Sequence, residues 1–215
     1  MLNINEIAIT SKNNITIDNI FFKNEPLSDT LVVVFPGKGY NGTMPLLYYC
    51  TEAALQLGCD VISLKYFFQC TKTDFEDKDY SQVIGDCYKS LNDNILAINS
   101  YKNIIFVSKS LGTVFAGEVA LLFEEMNIYQ FFLTPLSKTI PHIEKSACTV
   151  IVGDNDGFFP KNNIEKLCNF TLPTTHVISK ANHSLEIEGD CIQSLAILSD
   201  ITKVWIKFMK SIKTP

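Results

Sequence analysis

A chain of 215 residues is long enough to bury a substantial core and short enough to be read as one domain, residues 1–215. Its hydrophobic fraction of 47% and charged fraction of 19% are those of a globular protein, and 18 basic against 23 acidic residues leave a formal charge of −5. Mild acidity without a basic run argues against nucleic acid or an anionic membrane as partner, and no apolar stretch approaches the roughly 18 residues of a membrane span.

The opening MLNINEIAIT has no basic region followed by an apolar block, so no signal peptide is expected and the compartment is read as cytoplasmic. The seven cysteines are odd in number, never spaced Cys-x-x-Cys, and mostly set in apolar segments, which reads as reduced thiols packed as small hydrophobes. Three histidines, His142, His176 and His183, without a carboxylate cluster at ligand spacing, give no expectation of a metal or other cofactor.

INEIAIT and NITIDNIFF read as two strands separated by the turn-like Ser11-Lys12-Asn13-Asn14. LVVVF (31–35) is an unbroken β-branched run of the kind buried on both faces of a parallel sheet, and it ends in the glycine-rich PGKGYNG. MPLLYYCTEAALQLG is predicted as a helix stopped by Gly58, and DVISLKYFF as a strand. Residues 79–98 place Tyr80, Val83, Ile84, Cys87, Leu91 and Ile95 at helical spacing. NIIFV (103–107) is a further buried strand, with a helix through SLGTVFAGEVALLFEE directly behind it. IYQFFL and CTVIV are strands, NNIEKLC a short helix, THVIS a strand, and CIQSLAILSDITKVWIKFMK a long terminal helix with one apolar stripe. Strands alternating with helices predict an α/β fold, a mostly parallel central sheet with helices on both faces. Active sites in such sheets lie at the carboxyl ends of the strands.

NIIFV runs straight into Ser108-Lys109-Ser110-Leu111-Gly112 and a helix. A serine on a tight strand-to-helix turn, flanked two residues away by small side chains, matches a nucleophile elbow, and the helix N-terminus behind it offers unpaired N–H groups. The competing structural reading is a serine that simply caps the helix. At this pentapeptide the sequence resembles the α/β-hydrolase family, whose elbow reads Gly-x-Ser-x-Gly, with Ser108 standing in for the first glycine. The family's order, serine then acid then histidine, is repeated along the chain. After CTVIV comes Gly153-Asp154-Asn155-Asp156-Gly157, where the resemblance implies Asp156 as the acid and leaves Asp154 as the alternative. After THVIS comes Lys180-Ala181-Asn182-His183-Ser184-Leu185, which implies His183 as the base.

The turn Phe35-Pro36-Gly37-Lys38-Gly39 stands where the family carries its oxyanion loop. The backbone N–H of Lys38, or of Gly39 in its place, and that of Leu111 are the implied oxyanion donors. Lys109, beside the nucleophile, usually points away from the acyl site in this family and is given no role. The resemblance implies a serine hydrolase that cleaves a carboxylic ester, thioester or lactone of a small molecule through an acyl-enzyme on Ser110, without a cofactor. Only Pro135 to Ala147 separates FFL from CTVIV, so no cap domain is expected. Tyr40, Phe67, Phe68, Leu111, Phe158 and Phe159 lie near predicted strand ends and are candidate pocket walls, although aromatics beside strands more often belong to the core.

Two other functions compete. Gly37-Lys38-Gly39-Tyr40-Asn41-Gly42 is a literal G-x-G-x-x-G after a buried strand, the dinucleotide-binding pattern, but two strands precede it and VISLKYFF ends without an acid for a ribose hydroxyl. A hydrolase fold retained for binding without turnover is the other, since fold does not dictate function.

Overall fold

A computed structural model describes residues 2–123 and 125–213. Among the described residues eight strands form one sheet in the order β1-β2-β4-β3-β5-β6-β7-β8. β1 (Leu2–Thr10) and β2 (Thr16–Asn24) pair antiparallel, and β2 is antiparallel to β4 (Asp60–Ser63). From β4 through β3 (Thr30–Phe35), β5 (Asn103–Lys109), β6 (Ile128–Leu133), β7 (Thr149–Gly153) and β8 (Thr174–Ile178) every pairing is parallel. The expected mostly parallel sheet is therefore present, and its carboxyl ends gather on one edge.

Period-two alternation divides the central strands between two cores. Leu31, Val33 and Phe35 face one side, with Phe106 of β5 and helices α3 (Tyr80–Leu91) and α4 (Leu111–Leu121). Val32, Val34 and Val107 face the other, where α1 (Pro45–Gln56) and the terminal helix α7 (Cys191–Lys213) cover them. Each aliphatic or aromatic side chain fully withdrawn from water is worth about 1.5–3 kcal/mol, so the five buried apolar residues of β3, Leu31 to Phe35, anchor the sheet. Trp205 pins α7 to α1 by donating its indole N–H to the Cys50 carbonyl at 2.9 Å.

The predicted strand over 60–68 is corrected. β4 stops at Ser63, and Phe67–Thr71 form a short helix, α2. The reason lies at Tyr66. Its backbone N–H is met by the Gln69 side chain (3.1 Å) and its hydroxyl donates to the Pro36 carbonyl (3.0 Å), so the chain leaves the ladder there. The predicted 79–98 helix ends as α3 at Leu91 and continues as one π-turn, Asn92–Leu96. The helix predicted through Glu125 ends at Leu121, and Glu124 lies outside the described residues.

Between β6 and β7 there is only a 3₁₀ turn, Ser137–Thr139, and a five-residue helix, α5 (Ile140–Glu144), so among the described residues no cap domain is inserted there. A nine-residue helix, α6 (Lys161–Asn169), joins β7 to β8. Among the described residues no helix is long and apolar enough to cross a membrane.

Candidate active site

β5 stays in register through Lys109, which pairs with Leu133 of β6, and then turns sharply. Ser110 has φ 53° and ψ −120°, a conformation that costs a non-glycine residue about 1–3 kcal/mol. Two neighbours hold it there. Its N–H donates to the Leu133 carbonyl (3.0 Å), and its carbonyl accepts from the Thr113 N–H (2.9 Å) and hydroxyl (2.6 Å). The turn also needs Gly112, because a Cβ there would collide with the carbonyl oxygens of Phe35 and Pro36. Leu111 is the first residue of α4, so its N–H has no acceptor within the helix.

His183 comes from the turn after β8, and Asp156 from the loop after β7. His183 Nε2 lies 2.8 Å from Ser110 Oγ, and its Nδ1 lies 2.7 Å from Asp156 Oδ2. The Asp156 side chain is 0% exposed, and its other oxygen accepts from the Phe158 N–H at 2.8 Å. Asp154 faces elsewhere and accepts from the Lys180 N–H. The two loops touch closely enough that a Cβ on Gly153 would strike the Ala181 carbonyl. Asn182 shapes the histidine turn by accepting from the N–H groups of Ser184 (2.8 Å) and Glu186 (3.2 Å). A hydroxyl, an imidazole and a buried carboxylate in one hydrogen-bonded line can move a proton off the serine.

The loop after β3 lies against the elbow. A Cβ on Gly37 would sit 3.3 Å from both the Lys109 carbonyl and Ser110 Cβ. The Gly37 N–H is used within the turn, donating to the Tyr40 carbonyl at 2.8 Å, and Lys38 follows it, exposed, with its ammonium 3.0 Å from Asp74.

The expected aromatic wall is partly overturned. Phe67, Phe68 and Phe159 are buried in the core, because α2 turns the first two inward; Phe68 meets Tyr66 and Phe75, and Phe67 meets Lys12. Phe158, 68% exposed, does flank the site, with its ring 4.8 Å from that of His183. Tyr40 is half-buried beside the elbow, its hydroxyl accepts from the Leu46 N–H (2.9 Å), and burial pushes its phenol up to about 12.

Two features went unread in the sequence. A cleft of about 710 Å³ is lined by Tyr40, Leu46, Asn182, Ser184, Ile187 and Leu198. It arises where the 184–190 turn folds over the start of α1, a tertiary juxtaposition without a sequence signal. The second is Lys109, buried with its ammonium on the His183 carbonyl.

The glycine turn lacks the geometry of a dinucleotide site. α1 begins only at Pro45, three residues past Gly42, so the turn does not run directly into a helix N-terminus that could receive a pyrophosphate. His142 bonds Glu118 at 3.1 Å, and His176 lies within β8. Among the described residues no group of three or more His, Cys, Asp or Glu side chains is placed to hold a metal ion.

No protein-family model and no curated protein matches the sequence. Solved structures do match. An α/β serine hydrolase homologue from Coxiella burnetii superposes with TM-score 0.70 at 13% identity, over 94% of this chain and 96% of its own. An esterase of Pyrococcus furiosus gives 0.66 at 14% identity, over 95% and 92%. Est1E from Butyrivibrio proteoclasticus, with ferulic acid bound, gives 0.71 at 11% identity, over 96% and 98%. The chain has the α/β-hydrolase fold.

Proposed function

We propose that the protein is a serine hydrolase cleaving a small-molecule carboxylic ester, thioester or lactone through an acyl-enzyme on Ser110. The line Ser110–His183–Asp156, at 2.8 and 2.7 Å, carries this reading. The presence of named esterases among proteins of the same fold supports the ester class.

In this reading the Ser110 hydroxyl donates to His183 Nε2, and Nδ1–H donates to Asp156, which fixes the imidazole tautomer. Oγ attacks the acyl carbonyl as Nε2 takes its proton, and the imidazolium then protonates the leaving group. The N–H groups of Lys38 and Leu111 receive the oxyanion, each worth roughly 10²–10³ in rate. Water, deprotonated by His183, releases the acid and restores Ser110. The apolar part of the substrate lies in the cleft beside Tyr40.

The test is a fluorophosphonate probe followed by peptide mass mapping, which needs no knowledge of the substrate. Stoichiometric adduct on Ser110, suppressed by His183→Ala, is expected. Folded protein that takes no adduct overturns the reading and returns weight to a binding function.

A further inference from the structure

Lys109 immediately precedes Ser110, and its side chain goes to the α1/α7 side of β5. It is 1% exposed. An ammonium at that depth is costly unless acceptors meet it. Two do: Thr134 Oγ1 at 2.5 Å and the His183 carbonyl oxygen at 2.7 Å, with the face of the Tyr40 ring 5.1 Å away. Thr134 is itself fixed at the end of β6, its N–H donating to the Ile151 carbonyl at 2.8 Å. One buried side chain thus ties the residue before the serine, the end of β6 and the turn that carries the imidazole.

We propose that Lys109 is a positioning residue: its buried ammonium grips the His183 carbonyl and so holds the imidazole within reach of Ser110. This rests on Ser110 being the nucleophile.

Bonds from an ammonium are roughly twice as strong as those from a neutral amine, so loss of the proton loosens the grip. Burial lowers the Lys109 pKa to about 8, against the opposing attraction of Asp156 and Glu186. The other group facing it, Tyr40, stays neutral in that range because its phenol is pushed up to about 12. Serine reactivity should therefore fall along an alkaline limb near pH 8. Stability moves the other way. Between about 8 and the ordinary lysine value of 10.5 the unfolded chain holds this proton and the folded chain does not, so the Lys109 contribution raises stability with pH. A lysine serving only the fold would make reactivity and stability change together.

The experiment measures the rate constant of Ser110 labelling by the fluorophosphonate, and Tm, from about pH 6 to 10. Wild type, Lys109→Met and Thr134→Val are compared. Wild type is expected to lose reactivity with a midpoint near 8 while its Tm relative to Lys109→Met rises. Lys109→Met should label about 10–100-fold more slowly at neutral pH and lack that limb. Thr134→Val, which keeps the charge but removes one acceptor, should move the limb to lower pH. Labelling of Lys109→Met at the wild-type rate with an unchanged limb overturns the proposal. If that variant does not fold, an unshifted limb in Thr134→Val overturns it equally. Wild type that takes no adduct at any pH is a different failure, because it removes the nucleophile itself.

Discussion

Asp156 and Asp154 stand two residues apart on one loop and hold different partners. Asp156 places its buried carboxylate 2.7 Å from His183 Nδ1, whereas Asp154 accepts the Lys180 N–H and fastens the β7 loop to the start of the histidine turn. Sequence alone leaves the two open, because both follow the same strand. The structure separates them by which way each carboxylate faces.

That separation predicts unequal variants. In Asp156→Asn the new amide presents a donor to Nδ1 and favours the tautomer with its proton on Nε2, which cannot accept from Ser110. Hydrolysis of a generic aryl ester should fall by up to about 10⁴. Asp154→Asn keeps an oxygen for the Lys180 N–H and should change the rate by less than about tenfold. Steady-state kinetics on the two variants checks this, and the reverse order would move the acid to Asp154.

Gly112 and Gly39 make a second contrast. A Cβ at 112 would lie 2.8 Å from the Phe35 carbonyl carbon and closer still to two carbonyl oxygens, all backbone atoms that cannot swing away. Gly112→Ala should therefore cost about 3 kcal/mol, lowering Tm by about 6–12 °C. Gly39 meets nothing within 4 Å, and Gly39→Ala should leave Tm within about 2 °C. Calorimetry on both variants decides the matter. A severe effect at 39 would mean that the open space beside Gly39 closes in solution.

Ser108 stands where the α/β-hydrolase elbow carries its first glycine, and among the described residues its buried Oγ has no hydrogen-bond partner. An unmet buried hydroxyl costs about 1–3 kcal/mol, so Ser108→Ala should raise stability by roughly 1 kcal/mol, or about 2–4 °C in Tm. Thermal unfolding is the measurement. A fall in Tm would mean that the hydroxyl finds an acceptor in solution.

What the sequence makes legible follows from how local each cause is. Val32 to Phe35 read as a doubly buried strand because every side chain in the run is apolar, and Ser110 read as an elbow because the strand, turn and helix are contiguous. Phe67 and Phe68 misread as strand and pocket because two aromatics after a β-branched run carry no record of Gln69 reaching back to cap Tyr66. The grip of Lys109 on its two acceptors is illegible for a stronger reason. Alternation along β5 buries its side chain, but its partners Thr134 and His183 are 25 and 74 residues away. A lysine in a buried strand register is a local conflict, and such conflicts are expected near functional sites.

The cleft beside Tyr40 yields the last prediction. Ile187 lines it, in a turn whose backbone is already fixed: its N–H donates to Ser194 Oγ at 2.9 Å, independently of its side chain. Ile187→Trp should therefore fill the cleft without unmaking the turn. If the cleft receives the apolar part of the substrate, kcat/KM for a p-nitrophenyl octanoate should fall by about tenfold or more, the scale set by a few methylenes in an apolar pocket. The acetate ester, too short to enter, should change by less than about twofold, and Ser110 should label with the fluorophosphonate at the wild-type rate. Equal losses on both esters would mean that the variant disturbs His183 directly. No loss on either would place the chain on the Phe158 side of the imidazole, where an exposed ring lies tilted with its centroid 4.8 Å from that of His183.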